Sequence, residues 1–447
     1  YGGKYSMHDK IPQSQDETDA PPNRGVLASN GSNMPSRDLE AEMLLTDLVR
    51  IDSSDPGAYE TEIAAYVKSW LSPRIQRATG VHGAPLASLQ ELEALPNRKC
   101  LRATILSDED DPSSPRPADL TLLCHMDTVQ LGKGWSNDTP PLGAIIRDGK
   151  LWGRGSCDMK GGLTCALLAF SDALEATRQS GRHPQHSLSL VCTSDEEDVM
   201  RGVEAAIKAG WFNAKGWVLD NEPTDGLIRN AHKGRTWFEL TMQGLTAHAS
   251  TPWKGSDAIA ATAEAICCIH RDFVQASGEK KPSDAVAGDL GPSTVTFGQI
   301  QGGYSPYVVP DTCKVWIDMR LAPPATTAWA RRLVEKAIGV AESAIPGSKG
   351  SYVVTGDRPA IPTNPSSPLL SALRAVTKDV TGKPAGIAVF TGYTDSAVIA
   401  GVCGNKNCMS YGPGSLEVAH KPNEYVPLRD LARVRAVLSR LALETTK

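Results

Sequence analysis

The apolar pattern predicts an α/β domain, helices flanking a sheet, interrupted by a smaller α+β insert of ferredoxin-like order. Three observations carry this. Residues 120–124 and 187–192 are short apolar runs, bounded by polar residues and followed by charged ones, as buried strands of a helix-covered sheet are. A helical stretch, 162–176, lies between them. From 234 to 356 the order becomes strand-helix-strand-strand-helix-strand, the split βαβ pattern.

Taken in order, residues 1–37 are polar and rich in Ser, Asn, Asp and Pro. They lack the basic start and apolar core of a signal peptide, and they lack an initiator Met, so they read as a processed or trimmed tail outside the fold. From Asp38 onward Leu39, Met43, Leu44 and Leu48 share one helical face, and a second helix covers 59–71. Pro residues and the acidic run 108–111 break the stretch 73–119 into loops around a strand at 101–106. A further short strand follows at 217–219. Within the insert, 235–242 alternates polar and apolar; 256–271 and 327–344 are helical; 294–300, 313–321 and 352–355 are strands. Long amphipathic helices return at 366–380 and 427–443. The expected organisation is therefore a tail (1–37), a larger domain in two parts (38–233 and 357–447) and an insert (234–356).

The 447 residues carry a net charge of −5, which excludes a nucleic-acid or polyphosphate binder held by bulk positive charge. Apolar residues at 40% and charged ones at 22% are those of an ordinary globular protein. No apolar run reaches the roughly 18 residues that span a bilayer, so no membrane association is expected. The ten Cys form no CxxC pair, and several sit in apolar strands such as 120–124. They read as buried free thiols in a reducing, cytoplasmic setting.

Five segments carry chemistry. The strand at 120–124 runs into His125-Met126-Asp127. A His at a strand end with a carboxylate two residues on suits a metal ligand oriented by an acid, although a lone His is more often structural. Residues 153–162 form a Gly-rich loop with Asp158 at its tip, leading into a helix. Its spacing fits neither GxGxxG nor GxxxxGK[ST], and an Asp there would repel phosphate; bridging two cations is better physics. Asp195-Glu196-Glu197-Asp198 follows the next strand. Such a run is usually a solvated turn, but adjacent Glu residues at a strand end can divide the work, one on metal and one moving a proton. Asp220-Asn221-Glu222-Pro223-Thr224 follows a third strand, and a late segment, 412–424, brings His420. Mixed His and carboxylate ligands in this order form a di-metal pattern, suited to zinc, with cobalt or manganese as substitutes.

In these five ordered motifs, from about Leu39 to the C-terminus, the chain resembles the acetylornithine deacetylase, succinyl-diaminopimelate desuccinylase, aminoacylase and glutamate carboxypeptidase family of di-zinc hydrolases. The resemblance implies a mixed-sheet, zinc-exopeptidase-like catalytic domain with an inserted lid and dimerisation domain. It implies two Zn2+ per subunit: His125 and Glu222 on one, Glu197 and His420 on the other, and Asp158 bridging both. Asp127 would orient His125, and Glu196 would be the general base that activates the bridging water and protonates the leaving amine. The family often has a cis peptide after the bridging Asp, here Asp158–Met159. His248 matches a lid His that reaches the partner subunit's active site, implying a homodimer. Arg320 matches an Arg that holds a substrate carboxylate; a surface ion pair with Asp318 is the plainer alternative. Gly412 and Gly414 would place backbone N–H groups near substrate. One departure stands out: Tyr307 precedes Val308-Val309-Pro310 where relatives carry Asn, which implies a reshaped pocket. The Phe390-to-Asp395 loop would line the site, although its aromatics read first as core packing. The implied activity is hydrolysis of the amide bond of an N-acyl amino acid; a carboxypeptidase or dipeptidase on the same site, and a catalytically inactive ligand-binding relative, are the alternatives.

Overall fold

The computed structural model describes residues 36–277 and 290–447. The expected tail therefore lies, as far as residue 35, outside the described residues. Strand Leu120–His125 sits inside an eight-stranded mixed sheet. It pairs in parallel with Leu188–Thr193 on one side and Trp217–Asp220 on the other. The full order is Ile387–Phe390, Ile228–His232, Cys408–Ser410, Trp217–Asp220, Leu120–His125, Leu188–Thr193, Arg98–Ile105 and Ala87–Leu95. Arg98–Ile105 is antiparallel to Leu188–Thr193, and Ala87–Leu95 is antiparallel to it in turn. Because the three central strands are parallel, their C-terminal ends open on one edge, where ligands of α/β sheets bind. His125 lies opposite Thr193, and Leu123 opposite Asp220, so the three following loops start side by side.

The alternation of side chains along these strands builds two cores. Leu122, Cys124, Leu190 and Cys192 pack with Leu163, Leu167 and Phe170 of helix Lys160–Ser180 and with Val434 and Leu438 of helix Leu428–Thr445. Leu123, Val191 and Val218 point the other way, against Val203, Trp211 and Ile399. With both faces covered, the strands read as unbroken apolar runs rather than alternating ones. Each buried Leu contributes roughly 1.5–3 kcal/mol by leaving water, which makes this centre a stiff mount for the loops.

A second, four-stranded antiparallel sheet has the order Thr294–Gly302, Thr312–Leu321, Gly234–Gln243, Lys349–Arg358. Helices Ala258–Ser277 and Thr327–Ala344 cover one face of it, where Phe238, Leu240, Met242, Val315 and Ile317 meet Ala261, Ala265, Val334 and Ala337. The expected α/β class with a split-βαβ insert is the observed one.

The sequence reading missed several elements. Ala87–Leu95 is a sheet-edge strand whose Glu91 and Glu93 face outward, so its polar alternation looked like a loop. Ile228–His232, Ile387–Phe390 and Cys408–Ser410 are three to five residues long, too short for a periodicity to emerge. Helices Arg201–Lys208 and Asp395–Cys403 were likewise not anticipated. The strand expected at 352–355 extends over Lys349–Arg358, because pairing with Gly234–Gln243 continues through its polar ends. All ten cysteines are unpaired, and no described helix is long and apolar enough to cross a membrane.

Candidate metal centre and active-site cavity

His125 ends its strand with an almost fully buried ring. Its Nε2 lies 3.2 Å from Asp158 Oδ1 and 3.6 Å from Glu222 Oε1. The other oxygen of Asp158, Oδ2, lies 3.3 Å from His420 Nε2, and that nitrogen lies 3.0 Å from Glu197 Oε2. One carboxylate thus faces two imidazoles, each with a second carboxylate beside it. His125, Asp158 and Glu197 present ligand atoms within 4.8 Å of one another, and so do His125, Glu196 and Glu222.

The backbone holds these groups in place. The N–H groups of Cys157 and Asp158 donate to Glu424 Oε1 at 2.9 and 3.1 Å, and Arg154 donates to Glu424 Oε2 at 2.6 Å. The Asp158–Met159 peptide that follows is cis. Gly412 lies so near the preceding loop that a Cβ on it would sit 2.2 Å from the carbonyl oxygen of Asn221 and 2.4 Å from that of Glu222. Only glycine admits this approach.

Asp127 lies against the His125 ring, as expected, with its carbonyl oxygen nearer than its carboxylate. The His125 Nδ1 lies 2.9 Å from the Asp127 carbonyl oxygen but 3.7 Å from its carboxylate. The carboxylate instead accepts the Glu197 N–H at 3.0 Å. Asp127 thus contacts His125 through its main chain and the Glu197 loop through its side chain.

Burial pushes the Glu196 and Glu222 carboxyls well above their usual range. For Asp158 burial acts the same way, but the hydrogen bonds of His125 and His420 outweigh it and hold the group low. Asp158 and Glu197, accepting hydrogen bonds from its ring, lift His420 to about 11. Burial opposes the charged form of His125, yet Asp158 and the neighbouring carboxylates raise it well above the ordinary value. A cluster of buried carboxylates that draws both imidazoles toward the cationic form has the donor set and the negative charge that divalent cations need. The residues present fit a metal centre.

Asp55, Glu60 and Asp127 form another carboxylate group. Arg98 engages two of its three members, bonding Glu60 and Asp55 at 2.5–2.6 Å, and approaches Asp195 at 3.0 Å. This is an ion cluster behind the site, and it anchors the Glu196 loop: the Asp195 N–H donates to Glu60 Oε1 at 2.9 Å.

A cavity of about 430 Å³ opens over the candidate metal ligands, lined by Glu196, Glu222 and Tyr393 and by Arg235, Trp237 and Arg320 of the second sheet. A larger hollow of about 630 Å³ lies at the opposite ends of the strands, beside Asp119 and Trp217, and touches none of the ligands. Of the expected site residues, the structure brings together His125, Asp127, Asp158, Glu196, Glu197, Glu222 and His420. Arg320 lines the cavity while also pairing with Asp318 at 2.8 and 2.9 Å. His248, Tyr307, Gly412 and Gly414 do not line it. His248 is exposed, bonded to Ser250 Oγ at 2.7 Å, and Tyr307 is 74% exposed on the adjacent strip. The Gly412 N–H is taken by Thr224 Oγ1 at 3.2 Å. Sequence reasoning missed Arg235 and Trp237. Of the expected Phe390-to-Asp395 loop, residues 390–394 line the cavity, and Asp395 is buried and accepts from Thr193 Oγ1 at 2.5 Å. Only the shared phase of Arg235 and Trp237 in the alternating strand hinted at a common face.

The family model described as peptidase family M20/M25/M40 matches residues 121–444. The chain is 28% identical over 324 residues to an acetylornithine deacetylase of Myxococcus xanthus, covering 72% of this chain and 79% of the relative. It is 28% identical over 332 residues to a succinyl-diaminopimelate desuccinylase of Marinobacter nauticus, covering 72% and 81%. Among solved structures, a tripeptidase of Staphylococcus aureus superposes with a TM-score of 0.69 at 19% identity, covering 92% of this chain and 99% of the other. A metallo-carboxypeptidase of Sulfolobus solfataricus gives 0.66 at 17%, covering 92% and 100%. The ordered ligands, the two sheets and the family match agree: the chain belongs to the M20/M25/M40 peptidases, metallohydrolases acting on amide bonds.

Proposed function

We propose that the protein is a deacylase, hydrolysing the amide bond of an N-acyl amino acid with two zinc ions per subunit. The observation that carries this is Asp158, whose two carboxylate oxygens face His125 and His420 separately. His125 and Glu222 would hold one ion, Glu197 and His420 the other, and Asp158 both. When bound, the ions supply Lewis acidity at the scissile carbonyl and lower the pKa of water. Glu196, in the cavity wall and 8% exposed, takes the proton from the attacking water and delivers it to the leaving nitrogen. Its burial keeps that proton from exchanging with bulk water during transfer.

The names of the sequence relatives favour deacylation; the tripeptidase and carboxypeptidase among the solved structures keep an exopeptidase as the second reading. The homodimer is part of the proposal. His248 lies on the exposed surface of the insert, away from this chain's own cavity, where a second subunit can meet it. The ten unpaired thiols support a reducing, cytoplasmic setting. A panel of N-acyl amino acids and dipeptides, assayed with metal content measured on the same protein, tests the reading. Release of acyl groups by zinc-containing protein is expected; cleavage of dipeptides alone would replace deacylase by dipeptidase.

A further inference from the structure

The two imidazoles of the candidate metal centre are mounted unequally. His125 ends a central strand, and its side chain is 1% exposed. His420 sits in the loop between Cys408–Ser410 and Tyr425–Pro427, with φ at +63° and a side chain 53% exposed. A strand buried in the sheet fixes the first ring. The second needs some other hold on its loop.

Glu424, four residues after His420 and 1% exposed, supplies that hold. Its carbonyl oxygen accepts the Gly153 N–H at 2.9 Å. From the next residue the chain pairs antiparallel with Lys150–Trp152, Tyr425 lying opposite Trp152. Strand register thus delivers Glu424 to the start of the loop that carries Asp158. There its side chain meets hydrogen-bond donors at both oxygens: the N–H groups of Cys157 and Asp158 at Oε1, and the Arg154 guanidinium at Oε2. The same Arg154 Nη1 also reaches the carbonyl oxygen of Lys421, next to His420, at 3.4 Å. Asn423 adds a further anchor, its Oδ1 accepting the Ser136 N–H at 2.9 Å and the Thr139 hydroxyl at 2.8 Å. One buried carboxylate therefore joins the main chain of Asp158 to the loop of His420.

We propose that Glu424 is a positioning residue which, with Arg154, sets where His420 stands relative to Asp158, so that cation binding at the His420–Glu197 position depends on it far more than binding at the His125–Glu222 position. The inference rests on the two-ion reading above. The asymmetry follows from the mounting: loosening Glu424 frees the His420 loop, whereas His125 keeps its strand and its buried surroundings. The requirement is for a carboxylate. An amide in its place has one acceptor and one donor, and whichever way it turns, its NH2 faces either the Cys157 and Asp158 N–H groups or the Arg154 guanidinium. Partners that orient metal ligands in this way are usually worth 10- to 100-fold in metal affinity.

Cobalt(II) titrated into metal-free protein, followed by calorimetry and by visible absorption, reads both positions without turnover. The unaltered protein should take up two ions per subunit. His420→Ala should abolish one step, which identifies the His420–Glu197 position. In Glu424→Gln that same step should weaken about 10- to 100-fold while the other stays within about threefold, and the retained step also reports an intact fold. Glu424→Gln combined with Arg154→Gln replaces the ion pair by two amides that can satisfy each other, and should recover part of the lost affinity, since removing a whole buried pair is gentler than orphaning one member. Should Glu424→Gln fail to fold, Glu424→Asp, which keeps the charge but is one methylene short of its donors, must show the same selective weakening. Unchanged affinity at both steps, or equal weakening of both, overturns the inference. Fewer than two ions on the unaltered protein faults the two-ion reading; two ions with no selective loss in the Glu424 variants faults the role of Glu424 alone.

Discussion

Replacing Arg98 by Met should destabilise the protein and disable the site together. The guanidinium bonds Glu60 through Nε at 2.6 Å and Asp55 through Nη2 at 2.6 Å, and lies 3.0 Å from Asp195. Its side chain is 9% exposed; those of Glu60 and Asp195 are fully buried. Removing it leaves Glu60 and Asp55 without their cation, while Asp195 keeps Arg201, which donates to it through Nε at 2.6 Å. Breaking a buried ion pair from one side costs about 3–5 kcal/mol. That is a large part of the roughly 5–15 kcal/mol that holds a domain folded. Glu60 also accepts the Asp195 N–H, so the next residue, Glu196, loses its anchor. A misplacement of about 1 Å there can cost on the order of a hundredfold in rate. Urea unfolding at pH 7 measures the first effect and kcat the second. The triple variant Arg98→Met, Glu60→Gln, Asp55→Asn should regain more than half of the lost stability, because removing a whole buried cluster is far cheaper than orphaning part of it. A single variant within about 1 kcal/mol of the parent, or a triple variant no more stable than the single, refutes this reasoning.

Three other outcomes are expected. Removing metal by chelation should lower the melting temperature, because ions that bind only the folded state stabilise it by mass action, and adding zinc back should restore it; an unchanged melting temperature would speak against the ligand set. Glu196→Gln should keep its metal content but lose at least 10²- to 10⁴-fold in kcat, the usual worth of proton transfer; mixed with inactive His248→Ala under subunit exchange it should recover part of the activity, and exchange without recovery excludes a cross-subunit role for His248. His232, buried against Phe390 and Tyr393, has its pKa lowered by burial and then by Arg229 to about 3 from the ordinary 6.5. The unfolded chain then binds the proton first, so the neutral ring contributes full stability above about pH 6.5, and this is lost at about 1.4 kcal/mol per unit as pH falls toward 3. His232→Gln should flatten this acid limb of the stability curve, and an unchanged slope by urea unfolding would show that His232 is not buried neutral.

Most of the candidate site residues were legible in the sequence because they follow apolar runs, and such runs mark buried strands by composition alone. His125, Glu196, Glu197 and Glu222 follow three strands of this kind, and Asp158 sits at a Gly-rich helix entry; both signals are local. The split-βαβ order was legible for the same reason, since six periodic segments follow one another between 235 and 355. What the tertiary structure decided is everything that depends on register between distant strands. The row Arg358, Arg235, Arg320 joins residues from three strands, and no local pattern shows that they will lie side by side. Asp127 supports His125 through its carbonyl rather than its carboxylate because the Glu197 loop folds back onto that side chain. The Arg98 cluster likewise gathers Asp55, Glu60 and Asp195 from three segments, each unremarkable by itself. Local sequence determines which face of an element is apolar and where the chain can turn; which charges then meet is set only when the sheet closes and burial forces each of them to find a partner.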